Sequence, residues 1–274
     1  MRIVFVHGRA QGNKNEKALK SEWIEAFERG LREVSRKLAR TIDLNEFKFS
    51  FPYYGDLIDD LTKEFFAVNQ EGIVQRGGLT VDAEMLDVFL NEMDRDLDGK
   101  LKYLLGVEKE GLQEKGMIKS LAKILSKSSA LATNEVIRIA TTDVYVYLKV
   151  KYANETITNM VSEAIDADDE PVVVVGHSLG SVVAYNAISQ SQSPNIKSFI
   201  TVGSPLGINT VLSSIENEWR NRPGIHWFNA YDEMDIVALN PVPDRLAGRV
   251  SLNQFGEVKN GTSNHHGIVP YLED

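Results

Sequence analysis

The stretch PVVVVGHSLG, residues 171–180, joins a run of four valines to the turn sequence Gly-His-Ser-Leu-Gly. An unbroken run of β-branched residues is typical of a strand buried on both faces of a parallel sheet. The apolar residues VVAYNAI (182–188) follow at once and predict a helix. The segment therefore predicts a strand, a sharp turn and a helix, which is the repeating unit of α/β sheets.

Ser178 stands at the centre of a G-x-S-x-G pattern, between Gly176 and Gly180. A side chain at either flanking position would clash if the strand ran directly into the helix. In such a nucleophile elbow the serine occupies a strained turn with its hydroxyl clear of the sheet. The N–H of Leu179 would then lie at a helix N-terminus, where it can donate to a developing oxyanion. The structural alternative is a buried turn with an incidental serine.

Composition narrows the classes to which this chain can belong. The chain has 274 residues, enough for one large core, with 43% hydrophobic and 25% charged residues. A net charge of −9 argues against nucleic acid as the main partner. The chain has no cysteine, which excludes disulfides, thiolate nucleophiles and thiolate metal sites. The N-terminal MRIVFVHG is too short for a secretory signal, and no apolar run is long enough for a membrane span, so we expect a cytoplasmic protein.

The order of apolar segments predicts an α/β fold with a mostly parallel central sheet and helices on both faces. Residues 3–6, 47–51, 172–175, 197–202 and 225–230 are the expected strands, and 250–252 is a short sixth candidate. We expect helices at 19–38, 134–166, 182–188, 210–219 and after His266. Within 134–166 the sequence TDVYVYLKV alternates like a strand, but a helix is favoured because a crossover must lead into the strand at 172. The α/β core would comprise 1–54 and 134–274. Residues 55–133 lose the strand–helix rhythm and are interpreted as a mostly helical insertion, either structural filler or a cap over the site.

A serine hydroxyl is a weak nucleophile unless a base removes its proton and a third group orients that base. The chain has only five histidines, at 7, 177, 226, 265 and 266. His7 lies far upstream, His177 is adjacent to Ser178 and cannot normally reach its proton, and His226 begins a predicted strand. The C-terminal pair His265 and His266 therefore contains the best candidate for the base.

Three regions together resemble the α/β-hydrolase superfamily, whose nucleophile, acid and histidine follow in that chain order. They are VHGRAQG (6–12), VVGHSLG (174–180) and the pair NAYDEMDIVAL (229–239) with NHHGIVPYL (264–272). The closest likeness is to lipase-like and esterase-like members, including the inositol-deacylase-like and DDHD-type groups. With the strands between them, these regions cover nearly the whole chain outside the insertion. The resemblance implies the α/β-hydrolase fold and a reaction that needs no cofactor.

The resemblance also assigns the remaining members of a triad. The acidic candidates are Asp232, Glu233 and Asp235. Asp235 begins the sequence D-I-V, which matches the D-P-V turn of the family without its proline, so the resemblance favours Asp235 over Asp232. His266 precedes Tyr271-Leu272 with the family's H-x-x-x-x-Y-L spacing, and His265 does not. The HH pair has no H-E-x-x-H or cysteine partner nearby, so we expect no metal.

By the same resemblance, the backbone N–H of Arg9 would be the second oxyanion donor beside that of Leu179. Four further residues at the ends of the predicted strands are expected to line the substrate pocket: His7, Gly8, His177 and Ser204. The Arg9 side chain could bind an anionic substrate group or point to solvent.

The sequence thus predicts a serine hydrolase that cleaves carboxylic esters, with lipid esters among the candidate substrates. A thioesterase or an amidase would use the same triad, and a non-catalytic binding module could keep the fold. Contact with a membrane surface through basic pieces of the insertion, such as Lys115–Lys127, is a further hypothesis. The sequence does not indicate an oligomeric state.

Overall fold

The computed structural model describes most of the α/β core and little of the segment between residues 72 and 141. The described ranges are 1–8, 15–38, 42–71, 142–215, 224–233, 240–248, 250–258 and 265–274, with single residues 91, 95, 219, 235, 237, 238 and 260. None of the helices in these ranges is long and apolar enough to cross a bilayer.

Six parallel strands form one sheet in the order β2-β1-β3-β4-β5-β6. Their bounds are Arg2–Val6 (β1), Lys48–Ser50 (β2), Val172–His177 (β3), Ile196–Val202 (β4), His226–Ala230 (β5) and Ser251–Phe255 (β6). The valine run of β3 is central, pairing with β1 on one side and with β4 on the other. This arrangement confirms the α/β fold with a parallel sheet.

Seven helices accompany the sheet in the described residues, besides the helical stretch 142–149. They are Glu16–Lys37 (α1), Gly55–Glu71 (α2), Lys151–Ile165 (α3), Leu179–Gln190 (α4), Asn209–Ser214 (α5), Asp244–Ala247 (α6) and Ile268–Glu273 (α7), with 3₁₀ turns at Leu44–Glu46 and Pro205–Gly207. The expected helices after β1, after the elbow and after His266 are all present.

Helices cover both faces of the sheet, because alternate residues of β1 enter two separate cores. Ile3 and Phe5 pack in a cluster with Trp23 of α1, together with parts of α7. Val4 and Val6 face the larger cluster, which contains α3 and α4. The period of two along an extended strand produces this division. The two-faced arrangement predicted from the sequence is confirmed.

Two expectations about helices need correction. The long helix expected at 134–166 is interrupted in its described part: residues 142–149 are helical, Val150 is extended (φ −88°, ψ 103°), and α3 begins at Lys151. The helix expected at 210–219 ends at Ser214. Of the predicted insertion, α2 and residues 91 and 95 are helical, and the remainder lies outside the described residues, as do residues 134–141.

The strand order reverses direction at one position of the sheet, between β1 and β3. From β1 the chain moves to β2 in one direction, whereas β3 to β6 follow one another in the opposite direction. The carboxyl ends of β1 and β3 therefore flank a topological switch point, where open α/β sheets bind their ligands. Gly8 follows β1 and Ser178 follows β3, so both residues lie at this crevice.

Candidate active site

Ser178 adopts a backbone conformation that L-residues rarely occupy. Its φ is 55° and its ψ is −130°, and it is the only non-glycine residue with positive φ in the described chain. Such a conformation costs on the order of 1–3 kcal/mol and persists where the surroundings enforce it. Gly180 is part of that enforcement, since a Cβ there would overlap the carbonyl oxygens of Val6 and His7. The turn therefore has the strained geometry of a nucleophile elbow.

Hydrogen bonds hold the main chain of the elbow from behind. The N–H of Ser178 donates to the carbonyl of Val202 (3.2 Å), and its own carbonyl accepts from the Ser181 hydroxyl (2.6 Å). Because that hydroxyl has only one proton, the Ser204 hydroxyl, 2.7 Å away, donates to Ser181 Oγ. Ser204 Oγ also accepts from the N–H of Leu206 (3.2 Å) and is buried. The Ser204 side chain thus supports the elbow, and its predicted contact with substrate stays a prediction.

The side chains of Ser178, His266 and Asp235 form one hydrogen-bonded chain. His266 Nε2 lies 2.8 Å from Ser178 Oγ, and His266 Nδ1 lies 2.8 Å from Asp235 Oδ2. A carboxylate only accepts, so Nδ1 of a neutral His266 carries the proton and Nε2 is left to accept from the serine hydroxyl. This is the arrangement in which a histidine can remove the proton of a serine.

Asp235 is a buried carboxylate with several donors around it. Burial by itself would raise its pKa, but His266, the Tyr271 hydroxyl and the N–H of Val237 together hold the pKa below its ordinary value. Oδ1 accepts from Val237 N–H at 2.9 Å, and Oδ2 accepts from Tyr271 at 2.8 Å. The side-chain contact to Val237 closes an Asx turn, which defines this loop although the family's proline is missing.

A second Asp–His pair lies beside the first. Asp232 Oδ2 is 2.9 Å from His265 Nδ1 and accepts from the N–H of Asn260 at 3.0 Å. Tyr271 connects the two pairs, because its hydroxyl accepts from the N–H of Asp232 (2.9 Å) and donates to Asp235. The structure therefore joins Asp235 to His266 and Asp232 to His265, and only the former pair extends to Ser178 in the described residues.

The predicted pocket residue His177 is buried next to His266, the histidine that is hydrogen-bonded to Ser178 and Asp235. Its Nε2 lies 2.9 Å from the backbone carbonyl of His266, and the centroids of the two rings are 4.7 Å apart. Burial, and next the charge that His266 can carry, lower the pKa of His177 to about 3. A direct contact between His177 and substrate stays a prediction.

His7 and Gly8 differ in how close they come to the nucleophile. A Cβ on Gly8 would lie 2.7 Å from Ser178 Cβ, so the main chain after β1 passes directly over the nucleophile. The His7 ring is fully buried and stacks on Tyr54, whose N–H donates to His7 Nε2 at 3.1 Å. His7 Nδ1 therefore donates to the carbonyl of Gly8 (2.7 Å). The other predicted oxyanion donor, Arg9, lies outside the described residues.

Sequence reasoning missed two contacts that organise this site. The sequence analysis used Tyr271 only to recognise the H-x-x-x-x-Y-L spacing, and nothing local in the sequence shows that its hydroxyl would reach Asp235. The contact of His177 with His266 joins residues 89 positions apart and has no sequence signal of its own.

The comparison with known families adds one match. The family model described as Lecithin:cholesterol acyltransferase matches residues 148–223, which include β3, the elbow, α4 and β4. The matched segment and the six-stranded parallel sheet with helices on both faces are consistent with the α/β-hydrolase fold. Searches of curated proteins and of solved structures each found no match.

The matched segment contains Ser178 and ends before Asp235 and His266, whose pairing therefore rests on geometry. It supports an enzyme of the hydrolase and acyltransferase type. Within the described part of the chain, no group of three or more histidine or acidic side chains could hold a metal ion.

Proposed function

We propose that this α/β-hydrolase is a serine esterase that acts on lipid esters through Ser178, His266 and Asp235. One observation carries the proposal: a serine at the tip of a strained elbow lies 2.8 Å from a histidine whose second nitrogen lies 2.8 Å from a buried carboxylate. The three residues follow in the chain order nucleophile, acid, histidine, as in other α/β-hydrolases.

The first half-reaction forms an acyl-enzyme. Ser178 Oγ attacks the ester carbonyl while its proton passes to His266 Nε2, and Asp235 stabilises the resulting imidazolium and fixes its orientation. The carbonyl oxygen becomes negatively charged, and the N–H of Leu179, the first residue of α4, lacks an intrahelical acceptor and can donate to it. The N–H of Arg9 is the proposed second donor. His266 then gives its proton to the leaving alcohol.

In the second half-reaction, His266 takes a proton from water as the water oxygen attacks the acyl carbonyl. His266 then returns that proton to Ser178 Oγ as the acyl–serine bond breaks, which releases the acid and regenerates the free serine. The match to the lecithin:cholesterol acyltransferase family favours a second outcome, in which an alcohol takes the place of water and a new ester forms. The same match is the reason for proposing a lipid ester as substrate. Both outcomes pass through the same acyl-enzyme at Ser178, and they differ only in whether water or an alcohol accepts the acyl group.

Hydrolysis of a chain-length series of nitrophenyl esters tests this function, with acyl thioesters and anilides assayed in parallel. We expect esters to be cleaved in preference to amides, longer acyl chains to be preferred, and Ser178→Ala to lower kcat by at least about 10⁴-fold. Ser189→Ala is the matched control, since Ser189 lies in the last turn of the same helix and its hydroxyl bonds to the carbonyl of Asn186.

Equal activity in the Ser178→Ala and wild-type proteins would contradict the function. A preference for thioesters or amides would replace esterase by thioesterase or amidase with the same triad. Adding a long-chain alcohol separates hydrolysis from transfer, because only transfer yields the new ester.

A further inference from the structure

We propose that His177 is a positioning residue for the catalytic base: its ring holds the main chain of His266 where the His266 side chain reaches Ser178. The inference rests on the proposed function, because it assigns a role toward the base of that reaction. His177 itself touches neither Ser178 Oγ nor the proton that is transferred, since its hydrogen bond goes to the backbone of His266.

Two contacts join the elbow to the histidine loop. The first is side chain to side chain, from Ser178 Oγ to His266 Nε2, and it must break and reform during the reaction. The second runs from the His177 ring to the backbone carbonyl of His266 at 2.9 Å and involves no reacting atom. Because residues 177 and 178 are neighbours, the second contact fixes the distance between nucleophile and base while the first one changes.

His266 needs such an anchor because it lies in a turn between β6 and α7. Residues 265 and 266 are turn residues, and α7 begins at Ile268. Asn260 donates to the carbonyl of His265, which holds the preceding residue, and His177 holds the carbonyl of His266 itself. A loop residue that must keep a proton-transfer distance gains precision from contacts of this kind.

The direction of the hydrogen bond defines the state of His177. A carbonyl oxygen only accepts, so Nε2 of His177 carries the proton, and Nδ1 is a buried atom without a hydrogen-bond partner. Burial lowers the pKa of the ring, which keeps it neutral at ordinary pH. A neutral ring 4.7 Å from His266 does not oppose the positive charge that His266 acquires when it takes the proton of Ser178.

Packing holds the His177 ring in place for this contact. Trp23 of α1 lies edge-on to it, with ring centroids 6.0 Å apart at 72°, and Tyr271 of α7 lies 6.2 Å away. Among the described residues, the titratable groups around the ring are His266, Asp235, His7 and Tyr271. The ring is thus fixed by two helices and the histidine loop, which leaves its N–H aimed at one acceptor.

The matched variants His177→Gln and His177→Met test the proposal with the full chain. Both side chains have similar length and volume, but only glutamine keeps a donor that can reach the His266 carbonyl. We expect His177→Met to lower kcat about 10–100-fold with KM within about twofold, as misplacement of a reacting group does. We expect His177→Gln to recover kcat to within about fivefold of the wild-type value, which a purely structural role would not predict.

The proton resonance of His266 Nδ1–H provides a readout that does not depend on turnover. It should stay at its wild-type position in the glutamine variant and shift or broaden in the methionine variant. Thermal unfolding confirms that each variant folds, and His177→Leu replaces the methionine variant if that one does not. Equal kcat for the glutamine and methionine variants would overturn the proposal. Ser178→Ala separates the two claims, since unchanged turnover in that variant refutes the esterase instead.

Discussion

Replacing Asp235 with asparagine exchanges one carboxylate oxygen for an amide nitrogen at a position with little freedom. Oδ1 would keep its role as acceptor for the N–H of Val237. The amide nitrogen would take the place of Oδ2, at which both His266 Nδ1–H and the Tyr271 hydroxyl are aimed. Donor would then face donor on two sides. The ring of His266 can relieve this conflict only by moving its proton from Nδ1 to Nε2.

The cost of that change follows from the geometry of the serine. With a proton on Nε2, His266 presents a donor to Ser178 Oγ and cannot accept the proton of the serine. In serine proteases the corresponding replacement lowers kcat about 10⁴-fold while leaving the geometry intact. We therefore expect Asp235→Asn to lower kcat by about 10³–10⁴-fold, which corresponds to about 4–5.5 kcal/mol of transition-state stabilisation.

Steady-state hydrolysis of a nitrophenyl ester measures this loss, and Asp232→Asn is the matched control. Asp232 is also a buried carboxylate paired with a histidine, but its partner is His265. The control should keep kcat within about threefold, because the Asp232 carboxylate accepts from His265 and Asn260, whereas the base His266 is hydrogen-bonded to Asp235. Less than a tenfold loss of kcat for Asp235→Asn, or an equal loss of kcat for Asp232→Asn, would contradict the proposed role of Asp235 in orienting His266.

Four further changes test separate parts of the account. Gly180→Ala should destabilise the fold by about 3 kcal/mol or more in urea unfolding, because its Cβ would overlap the main chain after β1; a variant as stable as the wild type would contradict the close packing. Tyr271→Phe should lower kcat/KM about tenfold by removing one hydrogen bond to the Asp235 carboxylate, and unchanged kinetics would show that this bond is dispensable. Arg2→Met should cost about 2–3 kcal/mol of unfolding free energy, since the guanidinium donates to the last carbonyls of α3; a loss below 0.5 kcal/mol (about the effect of a surface change) would exclude that cap. The pKa of His177 is about 3 in the fold and ordinarily 6.5, so between these values the unfolded state binds the extra proton, and stability decreases as the pH is lowered, by up to about 1.4 kcal/mol per pH unit. His177→Gln should show a shallower decline in urea unfolding from pH 6.5 to 3, and identical slopes would contradict the burial argument.

The sheet could be predicted from the sequence because its strands are short apolar runs with a clear period. The four valines of β3 and the alternating β1 signal burial on both faces, and the positions of β4 and β5 follow from the same pattern. The secondary structure of residues 142–150 is less clear from the sequence, because TDVYVYLKV alternates like a strand while the flanking residues have helical spacing. Val150 is extended and buried in the larger core, and the spacing of apolar residues does not show where a helix is interrupted.

The active site also has features that the sequence predicts and features that it does not. The elbow is a local feature, so its serine and glycines can be identified from a few consecutive residues. The choice of Asp235 and His266 needed a family resemblance, because their loops are distant in sequence and each has a neighbour of the same type. Contacts such as Tyr271 with Asp235 depend on how α7 packs on α1, and only the folded arrangement reveals them.

Labelling with a fluorophosphonate probe, followed by peptide mapping, tests the central claim most directly, because the probe reacts with serines that a neighbouring base has activated. We expect one labelled residue, Ser178, with labelling abolished in Ser178→Ala and strongly slowed in His266→Ala. A folded wild-type protein that does not react, or that reacts equally well without Ser178, would contradict the assignment of Ser178 as an activated nucleophile.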